Sequence, residues 1–356
     1  MLFNHLRIGN IFKVMLLFIP ISIILALYTN LGSLTFIAAI LAIIPLARIL
    51  GYTTKDITLQ TNPTIGGLIS ATFGNLIELI ISIIALSKGL IRVVQASIIG
   101  SIIGNILLLI GMSVFIGGLK YKHQHFNKEA AGVSSTMLII VIVGLAIPTV
   151  YASIEPNNLH IETLSDAVAI IMALIYIAGL IFSLMTHKDL FDAHDEIKAT
   201  KETPTMSKKF AASILCITTI VAALESEILV RHIEPAIMTL GFTQTFIGVM
   251  VIAIITNIAE NSTAIHFAIV NKLDVSLEIG MNSAIQIALF VVPILILISQ
   301  IFHWGFTLVF SIFEIISVLF AVMIINYLSA DGRCNWMEGA QILSVYFIIA
   351  ITFFFI

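Results

Sequence analysis

The sequence predicts an all-α integral membrane protein of about eleven transmembrane helices: one N-terminal helix followed by two inverted five-helix repeats. Three observations lead there. Hydrophobic residues make up 59% of the 356 and charged residues only 10%, against roughly 45–50% and about 25% in soluble domains. The apolar residues run in stretches about as long as a helix needs to cross a bilayer, roughly 20 residues, separated by short polar breaks. An Asn-x-x-Glu motif occurs twice, at Asn75–Glu78 and Asn257–Glu260, with an offset of 182 (257 − 75).

Mean hydropathy is +1.11, and eleven spans read off near 11–28, 33–50, 64–87, 90–118, 134–151, 164–186, 209–230, 245–270, 273–299, 304–327 and 339–356. None alternates with a period of two, so the strands of a membrane barrel are excluded. Helices satisfy their own backbone hydrogen bonds in lipid and are the remaining choice. Arg7 and Lys13 flank the first apolar stretch like the basic start of a signal peptide, but no small-residue cleavage site follows, so it reads as a retained helix. The chain divides into that helix (1–30), a first repeat (31–186), a polar acidic linker (187–208) and a second repeat (209–356). With the N-terminus in the cytoplasm, 14 of the 17 Lys and Arg fall on the cytoplasmic side. That asymmetry predicts N-in, C-out, in a multi-pass protein of the plasma membrane. A net charge of −3 offers nucleic acid no basic patch. Cys216 and Cys334 are far apart, have no zinc-ligand spacing and read as single buried thiols.

The repeat extends beyond the motif. The same offset links Gly66 to Gly248 and Ser101 to Ser283. Five helices per half is an odd number, so the second half inserts upside down, the arrangement of many secondary transporters with a midplane site. Glu78 lies about 14 residues into a span entered from the cytoplasm and Glu260 about 15 into one entered from outside. At ~1.5 Å per residue both fall near mid-bilayer.

A carboxylate at that depth costs at least ~2.5 kcal/mol and marks function. Asn and Glu three apart share a helix face, as does Ser82 in the first half; Thr256 and Thr263 lie nearby in the second. The following spans add Ser97, Ser101 and Asn105, then Asn282, Ser283 and Gln286. Two carboxylates within neutral amide and hydroxyl oxygens suit a hard cation such as calcium, which takes about 6–8 oxygen ligands. The expected ligand set is Glu78, Glu260, Asn75, Asn257, Ser101, Ser283 and Gln286. No Cys or His cluster invites a soft metal. Gly66, Gly67 and Gly74 can let helices approach or break. Glu225, Glu227 and Glu314 have no repeat mate; Glu227 reads as interfacial or facing an access channel, and Glu227 and Glu314 are candidates to carry further protons. Glu162 and Asp166 read as caps of the sixth span, His266 as a packing residue, and Gly100-x-x-x-Gly104 as a small-residue packing face.

The run Ala71-Thr72-Phe73-Gly74-Asn75-Leu76-Ile77-Glu78-Leu79-Ile80, with Gly100-Ser101-Ile102-Ile103-Gly104-Asn105-Ile106-Leu107-Leu108, resembles the first repeat of the calcium/cation–proton antiporter family. Asn257-Ile258-Ala259-Glu260 and Ser283-Ala284-Ile285-Gln286-Ile287-Ala288-Leu289-Phe290 resemble the second. Thr186-His187-Lys188 and Asp331-Gly332-x-x-Asn335-Trp336-x-Glu338-Gly339 are also similar to that family. The resemblance implies exchange of Ca²⁺ for H⁺ by alternating access, with the coordinating acids on Glu78 and Glu260 beside Asn75 and Asn257. It implies no cofactor: Ca²⁺ and H⁺ are the transported partners, the bilayer is the solvent, and a homo-oligomer is left open. Three positions depart from the family: Thr256 and Asn282 where it usually has Gly, and Asn261 where it has His. The competing readings are a sodium-coupled calcium exchanger and, in other classes, a cation channel or an intramembrane metalloprotease. The last lacks a His-Glu-x-x-His zinc motif. A channel needs a continuous filter, usually from a symmetric oligomer.

Overall fold

Long apolar runs become helices here because lipid offers no partner to a bare peptide group. The computed structural model describes residues 10–155, 160–187 and 204–356. Arg7 and nearly all of the acidic linker, including its Asp and Glu residues from Asp189 to Glu202, lie outside the described residues. The helices are α1 Asn10–Tyr28, α2 Gly32–Thr58, α3 Pro63–Gly74, α4 Leu76–Ser87, α5 Ile91–Lys120, α6 Lys128–Ile154 and α7 Ile161–Thr186. After the linker come α8 Lys208–Arg231, α9 Ile233–Leu240, α10 Gln244–Thr256, α11 Ile258–Ile269, α12 Leu273–Phe302, α13 Ile312–Ser329 and α14 Trp336–Phe355. Among the described residues, nine helices are long and apolar enough to cross a membrane alone, and up to eleven spans result if each of two bent pairs counts as one.

α5 and α12 form the centre. Most of α5 is buried, with α10, α11 and α14 packed on it. α12 packs on α6, α7 and α11, while α2 packs on α8 and α1. A two-stranded antiparallel ribbon, β1 Gln124–His125 and β2 Arg333–Cys334, ties the connection after α5 to the one after α13.

The element boundaries repeat at the motif's offset. α4 and α11 span Leu76–Ser87 and Ile258–Ile269, 182 apart (258 − 76). The residues that turn the chain after them, Gly89 (φ 77°) and Asn271 (φ 62°), keep that offset (271 − 89). α5 and α12 start at Ile91 and Leu273 and each contains a π-helical turn, Gly104–Leu109 and Ile287–Val291.

Three elements differ from the sequence reading. α2 continues to Thr58, eight residues past the apolar run, because the Asp56 carboxylate accepts hydrogen bonds from the backbone N–H groups of Thr205 (2.8 Å) and Met206 (3.3 Å). α9, expected as loop, is a short helix that turns by 117° into α10 and is ended by left-handed Gly241. α13 starts at Ile312, not near 304, where Ser311 and Glu314 form a capping box. The preceding segment is irregular yet buried at Phe306, Leu308 and Phe310. Its peptide groups are met by side chains: Leu308 N–H by Ser165 Oγ (3.2 Å), Phe310 N–H by Thr149 Oγ1 (3.0 Å) and the Val309 carbonyl by Gln95 Nε2 (2.6 Å). Hydropathy cannot distinguish such a segment from helix.

Of the two glycines in the Gly100-x-x-x-Gly104 pattern, only Gly100 is a close-packing site. A Cβ there would stand 2.3 Å from the Val249 carbonyl oxygen of α10, whereas one on Gly104 would meet nothing within 4 Å. Gly100→Ala is therefore expected to lower the melting temperature by several degrees in detergent, since backbone must move. Gly104→Ala should leave it unchanged or raise it slightly. Equal melting points for the two variants would contradict this packing.

Candidate cation site

Both motif asparagines break their helices. Asn75 separates α3 from α4 at φ −103°, ψ 27°, with a 43° bend, and Asn257 separates α10 from α11 at φ −92°, ψ 10°. At each break the asparagine faces the central helix of the other half. Asn257 Nδ2 donates to Ser101 Oγ of α5 at 3.1 Å, and the mate of that pair, Ser283 Oγ of α12 to Asn75 Oδ1, spans 3.5 Å.

Two amides complete the network without symmetry. Asn105, inside the π turn of α5, donates through Nδ2 to Asn257 Oδ1 (3.0 Å) and Ser283 Oγ (2.9 Å). Gln286, just before the π turn of α12, accepts from Asn75 Nδ2 at 2.8 Å. A π turn inserts one residue and redirects the side chains around it, a common device at functional sites.

Glu78 is buried one turn after the first break, with the Thr256 side chain beside its carboxyl. Glu260 holds the equivalent place in the other half, one turn after the second break. Its Oε2 is a buried oxygen with no donor, and so is Asn105 Oδ1. Buried acceptors without donors are rare and call for an explanation such as an ion or a proton. Here they lie among carboxylate, amide and hydroxyl oxygens, the donor set of a hard cation. Among the described residues no group of three or more His, Cys, Asp or Glu side chains is arranged to hold a metal. Any ion here would need neutral oxygens besides the two acids.

The structure thus links Asn75, Asn257, Ser101, Ser283 and Gln286 with Asn105 in one hydrogen-bonded network and sets Glu78 and Glu260 one turn after its two asparagines. Ser82 and Ser97 are buried outside this network, and Thr263 is exposed and bonds its own helix at Ala259 O (2.8 Å). Several other readings need correction. Glu227 is ion-paired with Lys88 (3.3 Å) and Arg231 (2.9 Å), and Glu314 with Arg92 (3.3 Å). Each therefore has a basic partner that the sequence did not show. Asp166 does not cap α7; it accepts from Gln300 Nε2 at 3.1 Å. His266 is exposed rather than packed, and Cys216 is exposed while Cys334 is buried.

With that geometry in view, known proteins can be compared. The family model described as sodium/calcium exchanger protein matches residues 31–185 and 210–355. The chain belongs to the sodium/calcium exchanger protein family. Within it the chain is 41% identical to a Ca²⁺/H⁺ antiporter of Synechocystis over 364 residues, covering 98% of each. It is also 41% identical to the Ca²⁺/H⁺ antiporter ChaA of Bacillus subtilis over 338 residues, 94% of this chain and 96% of that one. The solved structure of native YfkE superposes with a TM-score of 0.85 at 38% identity, covering 97% of this chain and all of that one. This family member is a multi-pass α-helical membrane protein.

One departure adjoins an acid of the site. Asn261 follows Glu260, and its Oδ1 is buried without a donor. Asn261→His would place beside Glu260 a group that titrates near pH 6.5. Below that pH its positive charge should repel a cation, so the variant is expected to lose calcium transport on acidification at higher pH than the native protein. Overlaid pH–rate profiles would remove position 261 from proton handling.

Proposed function

We propose that this protein is a secondary transporter exchanging Ca²⁺ for H⁺ at a site formed by Glu78 and Glu260, with Asn75, Asn257, Ser101, Ser283 and Gln286 around them. The observation that carries the reading is a carboxylate one turn after each of two related helix breaks, whose asparagines are joined through Ser283 and Asn105 in one hydrogen-bonded network, with a buried Glu260 oxygen lacking a donor. Relatives that are 41% identical over nearly their whole length bear the name Ca²⁺/H⁺ antiporter, which favours protons over sodium as the counter-ion.

The charge balance supplies the coupling. Two carboxylates with Ca²⁺ sum to zero, and so do two protonated acids. Empty and ionised, they carry −2, which is expensive to move through a low-dielectric barrier. The carrier therefore switches sides when loaded with either ligand and hardly at all when empty. The repeated boundaries support two inverted halves, 31–186 and 209–356, that exchange access to the site. In this reading the N-terminus is cytoplasmic, the 187–208 linker lies on the same side, and the protein works in the plasma membrane.

The test is calcium uptake into everted vesicles driven by an imposed pH gradient, with and without sodium. Uptake that follows the pH gradient and ignores sodium is expected. Uptake that requires a sodium gradient would transfer the protein to the sodium-coupled reading.

A further inference from the structure

The described part of α1 is a peripheral helix: within its Phe18–Tyr28 segment Ser22 is the single buried residue. Its partner is Glu225 of α8, a carboxyl with no solvent exposure at all. Ser22 Oγ stands 2.8 Å from both Glu225 Oε1 and Oε2, and 2.8 Å from the carbonyl oxygen of Ile19. These are three acceptor oxygens around one hydroxyl, which has one hydrogen to give.

The proton count decides the state of the acid. If Glu225 is ionised, the Ser22 hydrogen serves either the carboxylate or the Ile19 carbonyl. At least one 2.8 Å contact is then lone pair against lone pair, and an anion is left in the membrane with a single neutral donor. If Glu225 is protonated, its O–H donates to Ser22 Oγ and Ser22 donates to Ile19, so two of the three contacts carry a hydrogen instead of one and no charge is left in the membrane.

Among the described residues no basic side chain is ion-paired with Glu225. The elements packed against α8 are α1, α2, α4 and α9. Their ionisable groups are Lys13 and Tyr28 on α1, Arg48, Tyr52, Lys55 and Asp56 on α2, Glu78 on α4 and Glu234 on α9, with His232 just before it. α8 itself adds Lys208, Lys209, Cys216, Glu227 and Arg231. Arg48 bonds Ser262 (2.9 Å), and Glu227 takes Lys88 and Arg231. Ser22 is the one bonded partner of Glu225 among the described residues. Depth agrees between the two helices: Glu225 lies six residues before Arg231 (231 − 225) and Ser22 six before Tyr28 (28 − 22), about 9 Å from the same end of the bundle.

We propose that Glu225 and Ser22 form a proton-binding site outside the cation site, and that the proton held there fastens α1 to α8. Loss of the proton leaves an anion facing a hydroxyl and a carbonyl, and α1 moves away from α8 while it stays packed on α2. This inference does not rest on the exchange reading, since neither residue belongs to the cation site.

Infrared difference spectroscopy of the full chain in lipid nanodiscs tests it. At neutral pH the native protein should show a protonated carboxylic C=O stretch that Glu225→Gln removes and Ser22→Ala moves to higher frequency, because the hydrogen bond to the hydroxyl is gone. Spin labels at Leu27→Cys and Ile220→Cys, with Cys216 and Cys334 replaced by alanine, report the distance between α1 and α8. It should widen as pH rises through the titration of that band, and stay fixed at all pH in Glu225→Gln, whose amide still donates to Ser22. A band untouched by both substitutions, or a distance that widens with pH equally in Glu225→Gln, would overturn the proposal.

Discussion

Glu78→Gln and Glu260→Gln are each expected to abolish calcium transport while the protein remains folded in the membrane. Glutamine keeps the size and one acceptor oxygen of the acid but not its charge. With one carboxylate gone, a divalent ion brings a net +1 into a buried site, and a buried charge left without its partner costs about 3–5 kcal/mol. At ~1.4 kcal/mol per decade that is a loss of at least ~100-fold. Folding should not suffer. Both acids are already expensive where they lie, and neither carboxylate is locked by a cation as Glu314 is by Arg92 at 3.3 Å. Calcium flux in proteoliposomes, read beside size-exclusion profiles of the purified variants, checks both halves. A variant transporting at the native rate would remove its residue from the site.

The second large effect is on pH. Calcium needs both carboxylates deprotonated, so protons and calcium compete for the same oxygens. The sign follows directly: as pH falls through the titration of the pair, protonated carrier accumulates and apparent calcium affinity falls. Where both acids bind protons, the fall approaches about 100-fold per pH unit, because two protons must leave for each ion bound. At least two protons should therefore move per calcium. The measurement is calcium flux with internal and external pH fixed and membrane potential clamped. A flux that continues at full rate with no counter-ion would mean a channel. An affinity that is flat with pH would mean that Glu78 and Glu260 do not carry the protons.

How much of this was legible beforehand depends on the range of the interaction that fixes each feature. The bilayer demands that a crossing segment satisfy its own peptide groups and present apolar side chains. Both demands are local, so the spans, the offset between Asn75–Glu78 and Asn257–Glu260, and the seven candidate ligands could be read along the chain. Polar residues in such segments are too expensive to be accidental, which is why the search for a site reduced to so few positions.

Contacts between residues far apart in sequence were a different matter. Nothing local says that Glu314 meets Arg92, that Glu227 meets Lys88, or that Glu225 meets Ser22. As bare intramembrane acids the three look alike; two of them meet a basic side chain and the third a hydroxyl. The irregular segment at Phe306–Phe310 reads as helix by hydropathy and is released from it only because Ser165, Thr149 and Gln95 arrive from other helices to bond its backbone. The break at each motif asparagine, and the unsymmetrical amides Asn105 and Gln286 that bridge the halves, belong to the same class. The sequence by itself determined which segments are long and apolar enough to cross a membrane, because that is a cost each segment meets alone. The tertiary structure decided which partner each of those residues meets, because the partners come from helices far apart in the chain.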